Sequence, residues 1–448
     1  MNTQFVFESG QKTVLGALMA FGFLCLGATY FIDESGDLHM RFWTNFLQNS
    51  AFFTGIAMAA LFLYTAKMTA YSGWQTTIKR IWEAFFMFLL VGVCLMGIIC
   101  FANWAHLSHI YHWNDAASVA NDKILTHKSA FLNNGWYTLA TFGFVGIWIF
   151  FALKLRSLSI QEDNEGNYEG GNYTFHRKMK ILAAIFLPIF GYTSAAVIWQ
   201  WLMSVDGHWY STLYAWYTTA SLVVTMFAFT ILMIIYLKSK NYLEYVTVEH
   251  LHDLGKLTFG ISVFWTYCWF SQFMLIWYAN VGEETQYFNL RVTQYPVLYW
   301  ANLIMNFVLP FLILIRNDTK RKYGSLIFAS VLIIFGHWWD FFQMIKPGAW
   351  KTVTELREHA EHAAHVSAGG GSHEAAGEHG AHAAAGHEVA QHASTFVEGF
   401  TLPGLLELGT FVGFIALFIY CVFYQLSKAS LLPKNDPYIQ ESMAHHVM

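Results

Sequence analysis

The chain has 448 residues, of which 56% are hydrophobic and only 12% charged, about half the charged share of an ordinary soluble domain, with a formal net charge of −4. A water-soluble helical bundle is excluded because too little polar surface remains to face water. No basic surplus points to nucleic acid.

Ten apolar runs follow along the chain, at 13–32, 51–66, 82–104, 134–153, 181–203, 214–237, 256–279, 296–315, 324–343 and 404–426. Each is close to the ~20 residues that cross ~30 Å of hydrocarbon, so an all-α integral membrane protein with ten transmembrane helices is predicted. The first run is expected to be a retained span, since a polar leader precedes it and no small-residue cleavage site is evident. The second is short at its outer end, where Phe52 and Phe53 follow a polar stretch. With ten spans both termini share a side, and that side collects eighteen of the 25 Lys and Arg residues. The positive-inside rule therefore places both termini in the cytoplasm.

This divides the chain into an N-terminal span and outer loop (1–50), two four-helix bundles (spans 2–5, 51–203; spans 6–9, 204–345), an outer loop (346–403), and a last span with a cytoplasmic tail (404–448). Ile189-Phe190-Gly191 and Ile334-Phe335-Gly336, each following a basic loop, hint at a repeat of the bundles. Pro188 and Pro310 should kink spans 5 and 8. The outer loop is low in complexity and carries eight of the 20 histidines between His359 and His392. A solvated insertion accounts for it better than metal scavenging, although His359, His362 and His365 recur at helical spacing. Thirteen of the 18 tryptophans lie at or beyond the outer ends of spans, more than an interfacial belt needs, so the outer face is expected to bind a flat ring or a docked protein.

Cys25, Cys94, Cys100, Cys268 and Cys421 form no CxxC or CxxCH, so the sequence offers no iron–sulfur or covalent haem site. Span interiors offer chiefly His337, too few for paired haem ligands. Glu249 and His252 make one ExxH without a second copy, so no di-iron centre is expected, and no metal site is assigned.

Ionisable groups at membrane depth are costly and hence candidates for function. On the outer side these are Asp206 and His208 at the 5–6 corner, His337 and Asp340 on one face of span 9, His106 and His109 (with His112) after span 3, Glu283 and Glu284 after span 7, and Asn133 and Asn134 before span 4. Paired His and Asp groups among aromatic rings suit proton acceptance from a quinol; capping and hydrated interfacial roles are the plain alternative. On the cytoplasmic side Glu83, Glu249, His250, His252 and Asp253 are candidates for proton entry, with Glu244 and Lys256 nearby, against a simple anchoring role.

The stretches "SVDGHWYSTLYAWY" (204–217), "HDLGKLTFGISVFWTYCWFSQFMLIWYANVGEET" (252–285) and "GHWWDFFQMIKP" (336–347), in this order and with this span count, resemble the F subunits of bacterial alternative complex III, integral membrane proteins of the NrfD/PsrC-like family. The resemblance covers most of spans 2–10. It implies two four-helix bundles flanked by outer helices and residence in the bacterial inner membrane. It also implies a homologous NrfD-like C subunit, periplasmic iron–sulfur and multihaem cytochrome c subunits, and a terminal oxidase as partners. Electrons would pass from menaquinol or ubiquinol to cytochrome c or an oxidase through haem c and iron–sulfur clusters of those partners. In that family the quinol site is assigned to the C subunit, and the F subunit is discussed as a proton route or structural counterpart. The expected function is thus support of quinol oxidation, with a purely structural scaffold or a stand-alone secondary transporter as alternatives.

Overall fold

The computed structural model describes residues 4–33, 38–166, 173–368 and 402–446, the side chains of 358–368 excepted. Ten helices are long and apolar enough to cross a membrane: Ser9–Phe31 (span 1), Met40–Thr69 (2), Thr76–Trp104 (3), Asn134–Glu165 (4), Thr174–Val205 (5), Leu213–Ser239 (6), Val248–Ala279 (7), Pro296–Leu314 (8), Tyr323–Arg357 (9) and Leu405–Leu426 (10). No β-strand occurs among the described residues. The protein is an all-α, multi-pass membrane protein.

Spans 2–5 pack into one ring of four and spans 6–9 into another, with spans 2 and 6 in contact where the rings meet. Spans 1 and 10 lie together on the outside and lean on span 2. Both ends of the described chain gather on one face. Gln4 bridges to Ser430, Ser442 bonds Thr77 and Trp74, and His445 bonds Asp253. This is the terminal face; the loops after spans 1, 3, 5, 7 and 9 form the distal face.

Most of the helices run past the apolar stretches, and two of these extensions bear on the sites. Span 2 begins at Met40 rather than 51, because Thr44, Asn45, Gln48 and Asn49 are polar yet wholly buried. Gln48 donates to the Trp338 carbonyl at 3.1 Å, the Trp338 indole donates to Asn49 at 3.0 Å, and Asn45 donates to Glu407 at 3.1 Å. Hydropathy reads those side chains as loop, whereas packing against spans 9 and 10 gives the amide donors of Asn45 and Gln48 and the Asn49 oxygen partners inside a helix. The helix of span 9 likewise continues to Ala368, so the segment expected to leave it at 346 is helical for its first part. Residues 369–401, holding most of the histidine-rich stretch, lie outside the described residues, as do the side chains of His359, His362 and His365.

The helix of span 9 survives Pro347 for a specific reason. Proline removes the N–H that would bond the carbonyl of Gln343, and its ring crowds that turn. Arg291, from the distal helix Gly282–Thr293, supplies the missing donor, with Nε bonding the Gln343 carbonyl at 3.2 Å, and its Nη2 also bonds the Met344 carbonyl at 3.2 Å.

Candidate functional site

Asp206 and His208, side by side in the sequence, have different partners. Asp206 takes a hydrogen bond from Arg291 Nη2 at 2.9 Å, and the guanidinium lies 3.4 Å over the Tyr287 ring, which stacks on Trp209 at 3.8 Å. Gly348 makes room for this carboxylate, since a Cβ there would come within 2.8 Å of it. Burial alone lowers the basicity of Arg291, but Tyr287 and Asp206 outweigh it and hold the guanidinium firmly charged. His208 instead bonds Asp122, which caps the short helix Lys123–Lys128 by accepting from the N–H groups of Ile124 and Leu125. Burial raises the Asp122 carboxyl, yet the His208 bond and those two N–H groups prevail and hold it below its ordinary value. Lys128 ties the corner down through the carbonyls of Gly207, His208 and Trp209.

Asp206, His208, Trp209 and Tyr287 line a cavity of about 300 Å³ on the distal face, together with His112, Glu283, Lys351 and Glu355. His106 and His109 sit elsewhere in the 3–4 loop, where burial lowers the His109 imidazole, Asp115 raises it and His106 lowers it again. Glu284 does not line the cavity, Asn133 caps span 4 by accepting from the Trp136 N–H, and Asn134 donates to Asn114.

Deeper in the second bundle, Asp340 is fully buried. Tyr217 of span 6 and Asn302 of span 8 donate to its Oδ1, the latter at 2.7 Å, and the Trp265 indole of span 7 donates to Oδ2 at 3.3 Å. All four helices of the ring thus meet at one carboxylate, and no cation stands within ion-pairing distance of it among the described residues. His337, one turn away, bonds Ser221 through Nδ1 at 2.9 Å, while its Nε2 has no hydrogen-bond partner. Span 8 widens here into a π-helical turn, Ile304–Val308, in which Asn306 bonds Asn302 and the Gly336 carbonyl. Pro310 lacks the N–H that would bond the Asn306 carbonyl, which accounts for a local break in the ladder; such turns recur at functional positions.

On the terminal face the expected group divides. Glu83 belongs to the first bundle, in a buried network with Arg80 at 2.6 Å, Ser159 at 2.6 Å and Arg156 at 3.8 Å. Arg80 also pairs with Asp163, and Lys79 with Asp436 and Glu162. Glu249, His250, His252 and Asp253 lie together at the start of span 7. There Glu249 pairs with Arg321 at 3.0 Å, His250 caps the helix at Thr247, and Asp253 meets Lys256 and His445. Among the described residues no hydrogen bond or ion pair joins Glu83 to them.

The residues that complete these sites but were not singled out from the sequence are Asp122, Arg291 and Glu355 on the distal face and Tyr217, Trp265 and Asn302 in the bundle. A lone Arg in a distal helix and an Asp at a helix N-cap were the available signals. A separate apolar groove of about 790 Å³ runs between spans 1, 6, 9 and 10, with Gln11 bonded to Tyr236 at its terminal end. Compared with protein-family models and with curated proteins, the chain has no match in either.

Proposed function

We propose that this chain is the cofactor-free integral subunit of a respiratory quinol:electron-acceptor oxidoreductase of the alternative complex III type. In this reading it resides in the bacterial inner membrane with both termini cytoplasmic, and its second bundle handles protons during quinol oxidation. The observation that carries the reading is Asp340: a carboxylate at the meeting point of four helices, held only by neutral donors. Of the other buried span carboxylates described above, Glu83 and Glu407 are locked to arginine and Glu162 to Lys79. Asp340 can therefore take or release a proton without breaking an ion pair. The Tyr214 ring lies 6.2 Å from that of Tyr217, which bonds Asp340, and 5.8 Å from that of Trp209, which lines the distal cavity, so polar side chains are spaced between the two. Menaquinol or ubiquinol would be the substrate. The C subunit and the periplasmic iron–sulfur and multihaem subunits would carry the electrons onward, to cytochrome c or a terminal oxidase.

The test is Asp340→Asn in the purified complex. Quinol oxidation or its proton release should fall about 100-fold or more, the modest end for a lost proton-transfer group, with subunit composition unchanged. Unchanged turnover in an intact complex would refute proton handling at Asp340 and leave a scaffold role.

A further inference from the structure

Three ligand-bearing side chains from separate elements converge in the distal cavity: His112 from the 3–4 loop, His208 from the 5–6 corner and Glu355 from the end of span 9. One ligand atom of each lies within 4.8 Å of the other two. His112 is 5% exposed, yet neither of its ring nitrogens has a hydrogen-bond partner. An imidazole buried in that state is costly unless something else meets it. Its Nδ1 faces Glu355 Oε2 at 3.2 Å, and its ring centre is 5.6 Å from that of His208.

The surroundings are those of a supported ligand set. Asp122 takes Nε2 of His208, leaving Nδ1 available, and is itself fixed by two backbone N–H groups. A carboxylate behind an imidazole is the usual outer support of a metal-ligating histidine. The cavity beside the three side chains leaves space for water as a further ligand. Lys351 lies 3.6 Å from the other oxygen of Glu355, so it competes for that carboxylate without occupying the side that faces His112. Two imidazoles, one carboxylate and an open position make a donor set suited to a borderline divalent ion. The comparable trio on the terminal face, Glu162, His176 and Asp436, already receives the Lys79 ammonium and is not a candidate.

We propose that His112, His208 and Glu355 form a Zn²⁺ site, with Asp122 orienting His208. Bound there, zinc clamps the 3–4 loop, the 5–6 corner and the end of span 9 together on the distal face.

The test uses the full-length chain with the eight histidines from His359 to His392 replaced by asparagine, which removes competing donors. After chelation this parent is titrated with Zn²⁺ against a chromophoric chelator. One tight equivalent per chain is expected. His112→Ala, His208→Ala and Glu355→Gln should each weaken it about 100-fold or more, and Asp122→Asn about 10- to 100-fold, the range for lost outer support. The absence of a tight equivalent in the parent, or equal affinity in parent and His112→Ala, overturns the proposal. Should a variant fail to fold, zinc-edge X-ray absorption of the parent decides. Nitrogen and oxygen neighbours at about 2.0–2.1 Å with imidazole scattering support the site, and a shell of oxygen alone overturns it.

Discussion

Arg291 meets two shortages with one side chain: it balances Asp206 at 2.9 Å and replaces the backbone donor that Pro347 removes from span 9. Truncating it leaves a half-buried carboxylate without its cation and the Gln343 carbonyl without its replacement donor. Arg291→Gln should therefore destabilise the protein by about 3–5 kcal/mol, measured by thermal unfolding in detergent. Arg291→Lys should fall between, because a lysine keeps the charge but cannot present the same fork of donors. At the terminal face Asp436 plays the matching part for Lys79. Burial raises its carboxyl, but the Lys79 ammonium and its hydrogen bond, the Tyr438 N–H and His176 outweigh that and leave it below the ordinary carboxylate value. A depressed acid contributes stability that is complete above the unfolded value of about 4 and is lost as pH falls through the lower folded value. Asp436→Asn should cost about 3 kcal/mol at pH 7, the low end for a broken buried pair because Glu162 remains at 3.4 Å. Its stability should also change less than the parent's on acidification below about pH 4, as read from unfolding curves at several pH values.

At the scale of elements, spans 1 and 10 meet backbone to backbone. A Cβ at Gly22 would come within 2.3 Å of Gly413 Cα, and one at Gly413 within 2.6 Å of Gly22 Cα. Close approach of this kind joins helices in lipid, where burial of apolar surface offers little drive. Gly413→Leu should cost about 1–3 kcal/mol by overpacking, whereas Gly16→Leu, with nothing within 4 Å of its Cβ, should be near neutral; comparison of their melting temperatures checks this. The Ile-Phe-Gly pairing between the bundles does not extend to the chemistry. In that register Asp340 falls opposite Ala195 and fully buried His337 opposite Tyr192, which is 83% exposed. Three matching letters cannot fix which way a helix is turned about its own axis, and that rotation decides whether a position meets lipid or the interior of the ring.

Across the whole molecule, two faces are separated by the spans, and the proposed orientation makes them distinguishable. In a background with the five cysteines replaced, Lys434→Cys should react with an impermeant maleimide only from the cytoplasmic side of sealed vesicles, and Ser129→Cys only from the other. The reverse pattern would invert the assignment. The spans themselves were legible because a bilayer imposes length and apolarity residue by residue, independently of neighbours. Candidates such as Asp206, His208, His337 and Asp340 were legible for a related reason, since a charge or imidazole at membrane depth stands out against its surroundings. Their grouping was not. Asp206 and His208 diverge to Arg291 and Asp122, Asp340 gathers Tyr217, Asn302 and Trp265, and Glu83 joins a network apart from Asp253. The sequence by itself determined how many helices cross and which unusual side chains they carry; the tertiary structure alone decided which of those side chains meet. Hydrogen bonds and ion pairs form across distances of about 3 Å, set by helix rotation and packing between segments far apart in the chain.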